Sequence, residues 1–355
     1  MVKSRVMDDA YEELNAFFTT NERSVVEIAI IPSALQPEDT LTLQDGINLG
    51  VSKKILTQAF LKARQSFFAT NHDPDLEDLC LESTRIILLF DPEHLTAANF
   101  RKRRIDKIKQ AYSEENRKPI AVALQREVDF LDSILTSPLH RQTKSPTLWH
   151  HRSYIISHLR LHRDLADDFD FTGSVIQTEL GCVFKASERH PKNYYAWRHA
   201  RTMLTVIIHE LRRENTDDEG NTWVYHLQRM LESATTYTEK WCLKNPSDTS
   251  GWSFLAFLLQ HLRSLDWKYD LITKILSVAL RWGWQYESVW AFFRMMLADP
   301  DILGDKAQVL LTVVQRSPCG EGSKKKMGSI DETDTETPCM KAIKWIDRYS
   351  APTNT

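Results

Sequence analysis

The chain has 355 residues, of which 42% are hydrophobic and 26% charged, and its formal net charge is −3. Such proportions allow most of the length to bury a core. The slight acidity argues against a dominant nucleic-acid or anionic-membrane role, each of which calls for a basic excess. Five cysteines stand at 80, 182, 242, 319 and 339, with no CxxC among them. Neither a disulfide framework nor a structural zinc site is expected, and a reducing, cytoplasmic setting is the simpler reading. The first residues, Met1-Val2-Lys3-Ser4-Arg5-Val6-Met7-Asp8-Asp9, turn acidic before any apolar run, so no signal peptide is expected. No apolar stretch reaches the ~18 residues of a membrane span, and Thr353-Asn354-Thr355 carries no lipidation box.

Residues 1–74 read as a helical and extended segment packing on a helical array. Its parts are an amphipathic helix over 8–20 (Tyr11, Leu14, Phe17, Phe18), an extended apolar run over 25–31 closed by Pro32, and a helix over 50–70. From Asp75 the pattern changes to paired helices, broken at Pro92, Pro119, Pro138, Pro146, Pro191, Pro246 and Pro300. Five pairs are predicted, over 75–113, 118–163, 170–213, 222–263 and 268–297, within a repeat region of 75–315. Leu124, Val128, Leu131 and Leu135 define one buried face of the second pair's first helix. Residues 316–340, with Gly320-Glu321-Gly322-Ser323-Lys324-Lys325-Lys326 and Asp331-Glu332-Thr333-Asp334, are polar and unpatterned and read as a disordered loop. Residues 341–355 read as a short capping helix, using Ile343, Trp345 and Ile346, and then a tail.

A tryptophan opens the second helix of successive pairs. Trp149, Trp197, Trp252 and Trp290 each come after a polar turn, at steps of 48, 55 and 38 residues, and Ala98 holds the same place 51 residues before Trp149. Periodicity on this scale means stacked helical hairpins, because a lone pair cannot bury its apolar face. The fold class expected is therefore all-α, a right-handed α–α solenoid of about five hairpins. The four tryptophans are expected to fill the space between hairpins, each indole N–H finding an acceptor. The basic residue one turn later is expected to meet carbonyls or a neighbouring acid. The run Arg101-Lys102-Arg103-Arg104 reads as a solvated helix face.

Lys192-Asn193-Tyr194-Tyr195-Ala196-Trp197-Arg198-His199, Lys144-Ser145-Pro146-Thr147-Leu148-Trp149-His150-His151-Arg152 and Glu287-Ser288-Val289-Trp290 resemble one family, the α subunits of protein prenyltransferases. The resemblance covers about 75–297. Glu27-Ile28-Ala29-Ile30-Ile31-Pro32, Leu49-Gly50-Val51 and Ser250-Gly251-Trp252 are most similar to the family's divergent branch of α-subunit repeat-containing proteins. The resemblance implies a heterodimer with a zinc-bearing β subunit like that of the Rab geranylgeranyltransferase. It also implies a prenyl diphosphate donor and a protein substrate with a C-terminal cysteine. A SNARE-like protein that already carries a modification is the substrate implied for this branch.

In that reaction a cysteine thiolate attacks C1 of the isoprenoid diphosphate, and zinc on the β subunit lowers the thiol pKa. The resemblance assigns Lys144, five residues before Trp149, to the departing diphosphate, as a preplaced cation. Lys192 is its equivalent before Trp197, and both precede a helix N-terminus, which also favours an anion. Tyr194 and Tyr195 stand where the family approaches the diphosphate or the substrate peptide, and His151 and Arg152 line the same edge or serve the core. No cofactor is expected in this chain. The i, i+4 pair His158 and His162 lacks a third ligand, so no metal is expected. Ala98, Ala200 with Arg201 one step late, and Leu255 depart from the family pattern. A non-catalytic helical-repeat scaffold is thus the alternative. A self-sufficient enzyme finds no Gly-rich phosphate loop, nucleophile triad or metal spacing to support it.

Overall fold

Tyr11, Leu14, Phe17 and Phe18 lie on one face of the first helix, α1 (Val2–Thr20), and all four are buried. A computed structural model describes residues 2–36, 40–111, 118–161, 169–214, 222–317 and 336–349. The predicted extended run is β1 (Glu27–Ile31), and the helix predicted over 50–70 is α2 (Lys53–Thr70). Ser52 caps α2, its hydroxyl accepting from the Ile55 N–H.

Two further strands join β1. The chain forms β2 (Thr42–Asp45), turns through Gly46 at φ 57°, and returns antiparallel as β3 (Asn48–Ser52). β3 then pairs in parallel with β1, giving the order β1-β3-β2. The Asp45-Gly46 dipeptide is a hairpin signal, but two strands this short carry too little alternation to be read from the sequence. The free edge of β1 meets α5 (Lys118–Leu135), where Ser133 Oγ accepts from the Val26 N–H at 2.9 Å and Ser137 Oγ from the Ile28 N–H at 2.8 Å. Covering an edge with hydroxyls in and just after a helix removes a template for unwanted strand pairing.

The chain divides into two compact units, Met1–Met203 and Leu204–Thr355. The division falls inside a helix rather than at the predicted boundary near 74. The reason is a shared core. α3 (Glu77–Phe90) packs on α2, and α4 (Leu95–Ala111) comes after it. Phe60 stacks on Phe90 at 4.3 Å, Phe67 meets Phe100 edge-on at 5.4 Å, and the Tyr11 and Ser83 hydroxyls share a 2.7 Å hydrogen bond. The first 74 residues therefore complete the first hairpin's core.

In the first unit, α3 and α4 are the first predicted pair. α5 and α7 (Pro146–Leu161) are the second, with the one-turn α6 (His140–Thr143) between them, and α8 (Phe169–Arg189) leads into α9 (Tyr194–Glu214). The second unit holds α10 (Thr222–Lys244) with α11 (Thr249–His261), then α12 (Leu265–Arg281) with α13 (Glu287–Ala298). After these come α14 (Pro300–Leu303), α15 (Lys306–Arg316) and α16 (Pro338–Tyr349). The architecture is all-α helical repeat, with the small sheet as its one departure among the described residues.

α16 is the expected closing helix, but it starts at Pro338, a residue suited to a first helical turn. It packs on α13 with Cys339, Ala342, Ile343 and Ile346 buried. Trp345, expected in that core, is instead 40% exposed and lies against Tyr349. Cys339 is disulfide-bonded, while Cys80, Cys182 and Cys242 are free. Residues 318–335, most of the predicted disordered loop, lie outside the described residues. Among the described residues, no helix is long and apolar enough to cross a membrane.

Candidate functional site

The turn ahead of each second helix is built from two recurring polar elements. The first is a cap four residues before the tryptophan position. His94 Nδ1 accepts from the Ala97 N–H, Ser145 Oγ from the Leu148 N–H, Asn193 Oδ1 from the Ala196 N–H, and Asp248 Oδ1 from the Ser250 and Gly251 N–H groups. Each satisfies N–H groups that the helix itself leaves without partners.

The second element is the carbonyl six residues before the tryptophan. Trp149 Nε1 donates to Thr143 O at 2.8 Å, Trp252 Nε1 to Pro246 O at 2.9 Å, and Trp290 Nε1 to Trp284 O at 2.7 Å. Neighbouring turns use carbonyls of the same kind. Ser145 Oγ donates to Pro92 O, Asn193 Nδ2 to Thr143 O, and Ser288 Oγ to Pro246 O. Trp149, Trp197, Trp252 and Trp290 are all buried. The turns are therefore stitched together along one edge of each unit.

Lys144 joins this edge in the first unit. It comes directly after α6, is half-buried, and its Nζ donates to Pro191 O at 2.9 Å. Pro191 O is the carbonyl six residues before Trp197, so Lys144 spans the gap between the second and third turns. Lys192 is the next residue after Pro191, exposed, with φ at 59°, the one positive value at a non-glycine among the described residues. For a lysine this costs roughly 1–2 kcal/mol, a local strain of the kind found at ligand clamps. Tyr194 is 58% exposed and Tyr195 half-buried, their rings 5.4 Å apart and edge-on. Four of the expected residues, Lys144, Lys192, Tyr194 and Tyr195, thus share two bonded turns.

His151 and Arg152 do not join them. Both are fully buried, and both belong to a repeated ion-pair ladder. Glu127 of α5 receives Arg101 Nε and Nη2, each at 2.6 Å, and His151 Nε2 at 2.7 Å. Glu179 of α8 receives Arg152 Nε at 2.8 Å, Arg152 Nη2 at 2.6 Å and His199 Nε2 at 2.7 Å. In both cases a carboxylate lies between an Arg three positions after one tryptophan position and a His two positions after the next. Asp132 adds a second acid to Arg152 at 2.9 Å. The reading of His151 and Arg152 as diphosphate contacts is thereby corrected, because their hydrogen bonds are spent in the core. Arg101 likewise leaves the predicted solvated face. It is buried, whereas its neighbour Arg104 reaches an exposed Asp78.

Electrostatics follow from this burial. Burial alone would raise the Glu179 carboxyl, but Arg152 and His199 outweigh it and hold it at about 2. Glu127 is held lower still by Arg101 and His151. His151 goes the other way, since burial outweighs Glu127 and lowers its pKa, so it donates Nε2–H as a neutral ring. Each of these groups binds fewer protons folded than unfolded over part of the acid range. Stability is thus lost as pH falls, below the ordinary imidazole pKa for His151 and below the ordinary carboxylate pKa for Glu127 and Glu179. Glu179 alone should contribute at most about 3 kcal/mol at neutral pH. Urea midpoints between pH 7 and pH 3 are expected to fall, and to fall less in Glu179→Gln; equal slopes for both proteins would refute this.

The ladder's partners Glu127, Glu179, Asp132 and His199 were not singled out from sequence. The signal was present, since Glu127 adjoins Val128 on the Leu124–Leu131 face and Glu179 comes after the buried Val175 and Ile176. In the second unit the equivalent places are apolar. Leu255 and Phe293 stand three after Trp252 and Trp290, with Phe254 and Phe292 two after Trp252 and Trp290, all fully buried. Arg294, the basic residue four after Trp290, pairs with Glu287 at the surface. Of the i, i+4 histidine pair, His158 packs on the Tyr154 ring at 4.4 Å, and His162 lies outside the described residues.

A sequence model of the protein prenyltransferase alpha subunit repeat matches residues 176–206 and 231–262. The first stretch contains the Lys192–Trp197 turn and the second contains Trp252. The chain is 22% identical over 253 residues, 70% of its length, to Protein ECM9 of Saccharomyces cerevisiae, and spans 58% of that protein. It is 24% identical over 195 residues, 52% of its length, to protein prenyltransferase alpha subunit repeat-containing protein 1-B of Xenopus laevis, spanning 38% of that protein. It therefore covers less than two thirds of either relative.

Proposed function

We propose that this chain, two stretches of which match the protein prenyltransferase alpha subunit repeat, is the α subunit of a heterodimeric, geranylgeranyltransferase-like protein prenyltransferase. The single observation that carries this reading is the bond from Lys144 Nζ to Pro191 O. It brings the lysines of two successive repeat turns, with Tyr194 and Tyr195, to one edge. In the proposed reaction the substrate's cysteine sulfur forms a bond to C1 of the isoprenoid as the C1–O bond breaks, and the diphosphate leaves with the electron pair. A zinc ion, held by the proposed β subunit and not by this chain, would lower the thiol pKa. This chain places cations where the leaving group gains negative charge, an effect worth a few kcal/mol in comparable sites.

The partner proposed is a β subunit of the Rab geranylgeranyltransferase type, and the acceptor a protein with a C-terminal cysteine. Co-expression and size-exclusion chromatography test the partner directly. A stable complex of one chain each is expected, and failure to co-migrate with any protein prenyltransferase β subunit overturns the reading. The scaffold alternative draws on Ala98, Ala200 and Leu255, which replace aromatic and basic repeat positions. All three are buried in the apolar core, where they serve packing without removing any group from the Lys144 edge.

A further inference from the structure

Beside Lys144 lies a pair of histidines with no acid of their own. His140, on α6, and His190, just after α8, meet edge-on with ring centroids 5.0 Å apart. His190 is half-buried, and its Nε2 has no hydrogen-bond partner. Among the described residues no carboxylate pairs with His140, His190 or Lys144. Lys144 is held by a carbonyl alone. The nearby charges that do have acidic partners are Arg189, 2.7 Å from Glu27 of β1, and Arg141, 2.9 Å from Asp91. Basic groups gathered without a counter-charge are costly to maintain, and a multivalent anion relieves that cost.

We infer that His140 and His190 form, with Lys144, a diphosphate contact in which anion binding is coupled to uptake of a proton by His190. The inference rests on the proposed transferase function and extends it to two residues outside the repeat motif. In the free protein, burial, His140, Lys144 and Arg189 all lower the His190 pKa, so the ring is neutral near pH 7. A diphosphate reverses the sign of the local field and favours the imidazolium. The proton comes from solvent, adds to a ring nitrogen, and returns when the anion leaves. The same cation would face the leaving group during transfer, adding to the charge of Lys144.

Isothermal titration of inorganic diphosphate into the full chain, in pH 7 buffers of different ionisation heats, reads the proton uptake. About one proton more per diphosphate is expected for the wild-type chain than for His140→Gln/His190→Gln. Wild-type affinity is expected to fall by well over tenfold more between pH 6 and pH 8 than that of the double variant, since linked uptake of about one proton changes affinity by up to about tenfold per pH unit. His190→Arg, which keeps a permanent cation, should hold affinity at pH 8 and lose proton uptake. Equal uptake in the wild type and the double variant overturns the inference, whatever the heterodimer's transfer activity. Absence of any diphosphate binding overturns it as well. A chain that fails to join a β subunit yet shows the uptake would instead sink only the proposed enzyme.

Discussion

Arg152→Ala is expected to destabilise the first unit by roughly 3–5 kcal/mol, the usual cost of removing one partner from a buried ion pair. Arg152 is fully buried and reaches both Glu179 and Asp132. Its loss strands two carboxylates, one of them held at about 2 only by that charge and by His199. Size does not explain the cost. Arg152→Met keeps much of the volume and should be nearly as harmful, whereas Arg152→Met with Glu179→Leu and Asp132→Leu should recover much of the loss. Urea denaturation followed at the tryptophans measures all three. A cost below about 1 kcal/mol for Arg152→Ala would mean that the ladder behaves like surface ion pairs and does not hold the hairpins together.

Lys144→Ala is expected to do the opposite: little to stability, much to turnover. Lys144 is half-buried, and its one bond is to the carbonyl of an exposed residue, so the cost to folding should stay within about 0.5 kcal/mol. In the heterodimer the ammonium would act on charge that develops as the C1–O bond breaks. The loss should therefore fall on kcat, by at least about tenfold, with the heterodimer intact. Unchanged turnover would remove Lys144 from the mechanism. A rise in donor KM alone would make it a ground-state anchor.

The contrast between these residues shows what sequence carries and what it does not. The helical pairs were legible because their apolar faces repeat at helical spacing and prolines separate them, and the tryptophans gave the register. Lys144, Lys192, Tyr194 and Tyr195 were legible because they belong to the turn, where position is set directly by the distance to the tryptophan. His151 and Arg152 sit in the next helical turn, where one residue's difference decides between the turn edge and the core. Their partners lie 24 and 27 residues away at Glu127 and Glu179, a pairing visible only once the hairpins are stacked. The β2–β3 hairpin escaped because its strands hold four and five residues, and their pairing with β1 is non-local. His140 and His190 lie outside the motif and meet because their two turns are joined, by Lys144 to Pro191 O and by Asn193 to Thr143 O.

The two units also differ inside. The first places Arg–Glu–His contacts at Glu127 and at Glu179, one for each repeat junction. The second packs Trp252 on Phe292 at 5.2 Å and Trp290 on Phe293 at 5.4 Å. Apolar packing tolerates volume-conserving exchange, whereas a buried ion pair penalises loss of either member. Substitutions that break a single pair should thus be concentrated in their effects on residues before 204. The turn edge proposed to contact diphosphate is mounted on that less forgiving half, which holds Lys144 and Pro191 in register.

The most direct measurement of the central claim is lipid transfer by the purified pair. The chain, co-purified with a Rab-type β subunit, is incubated with labelled geranylgeranyl diphosphate and an acceptor protein ending in cysteine. Label is expected on that cysteine only when both chains are present. A stable pair that binds the acceptor and transfers no label would contradict the enzyme and leave the helical repeats as a scaffold.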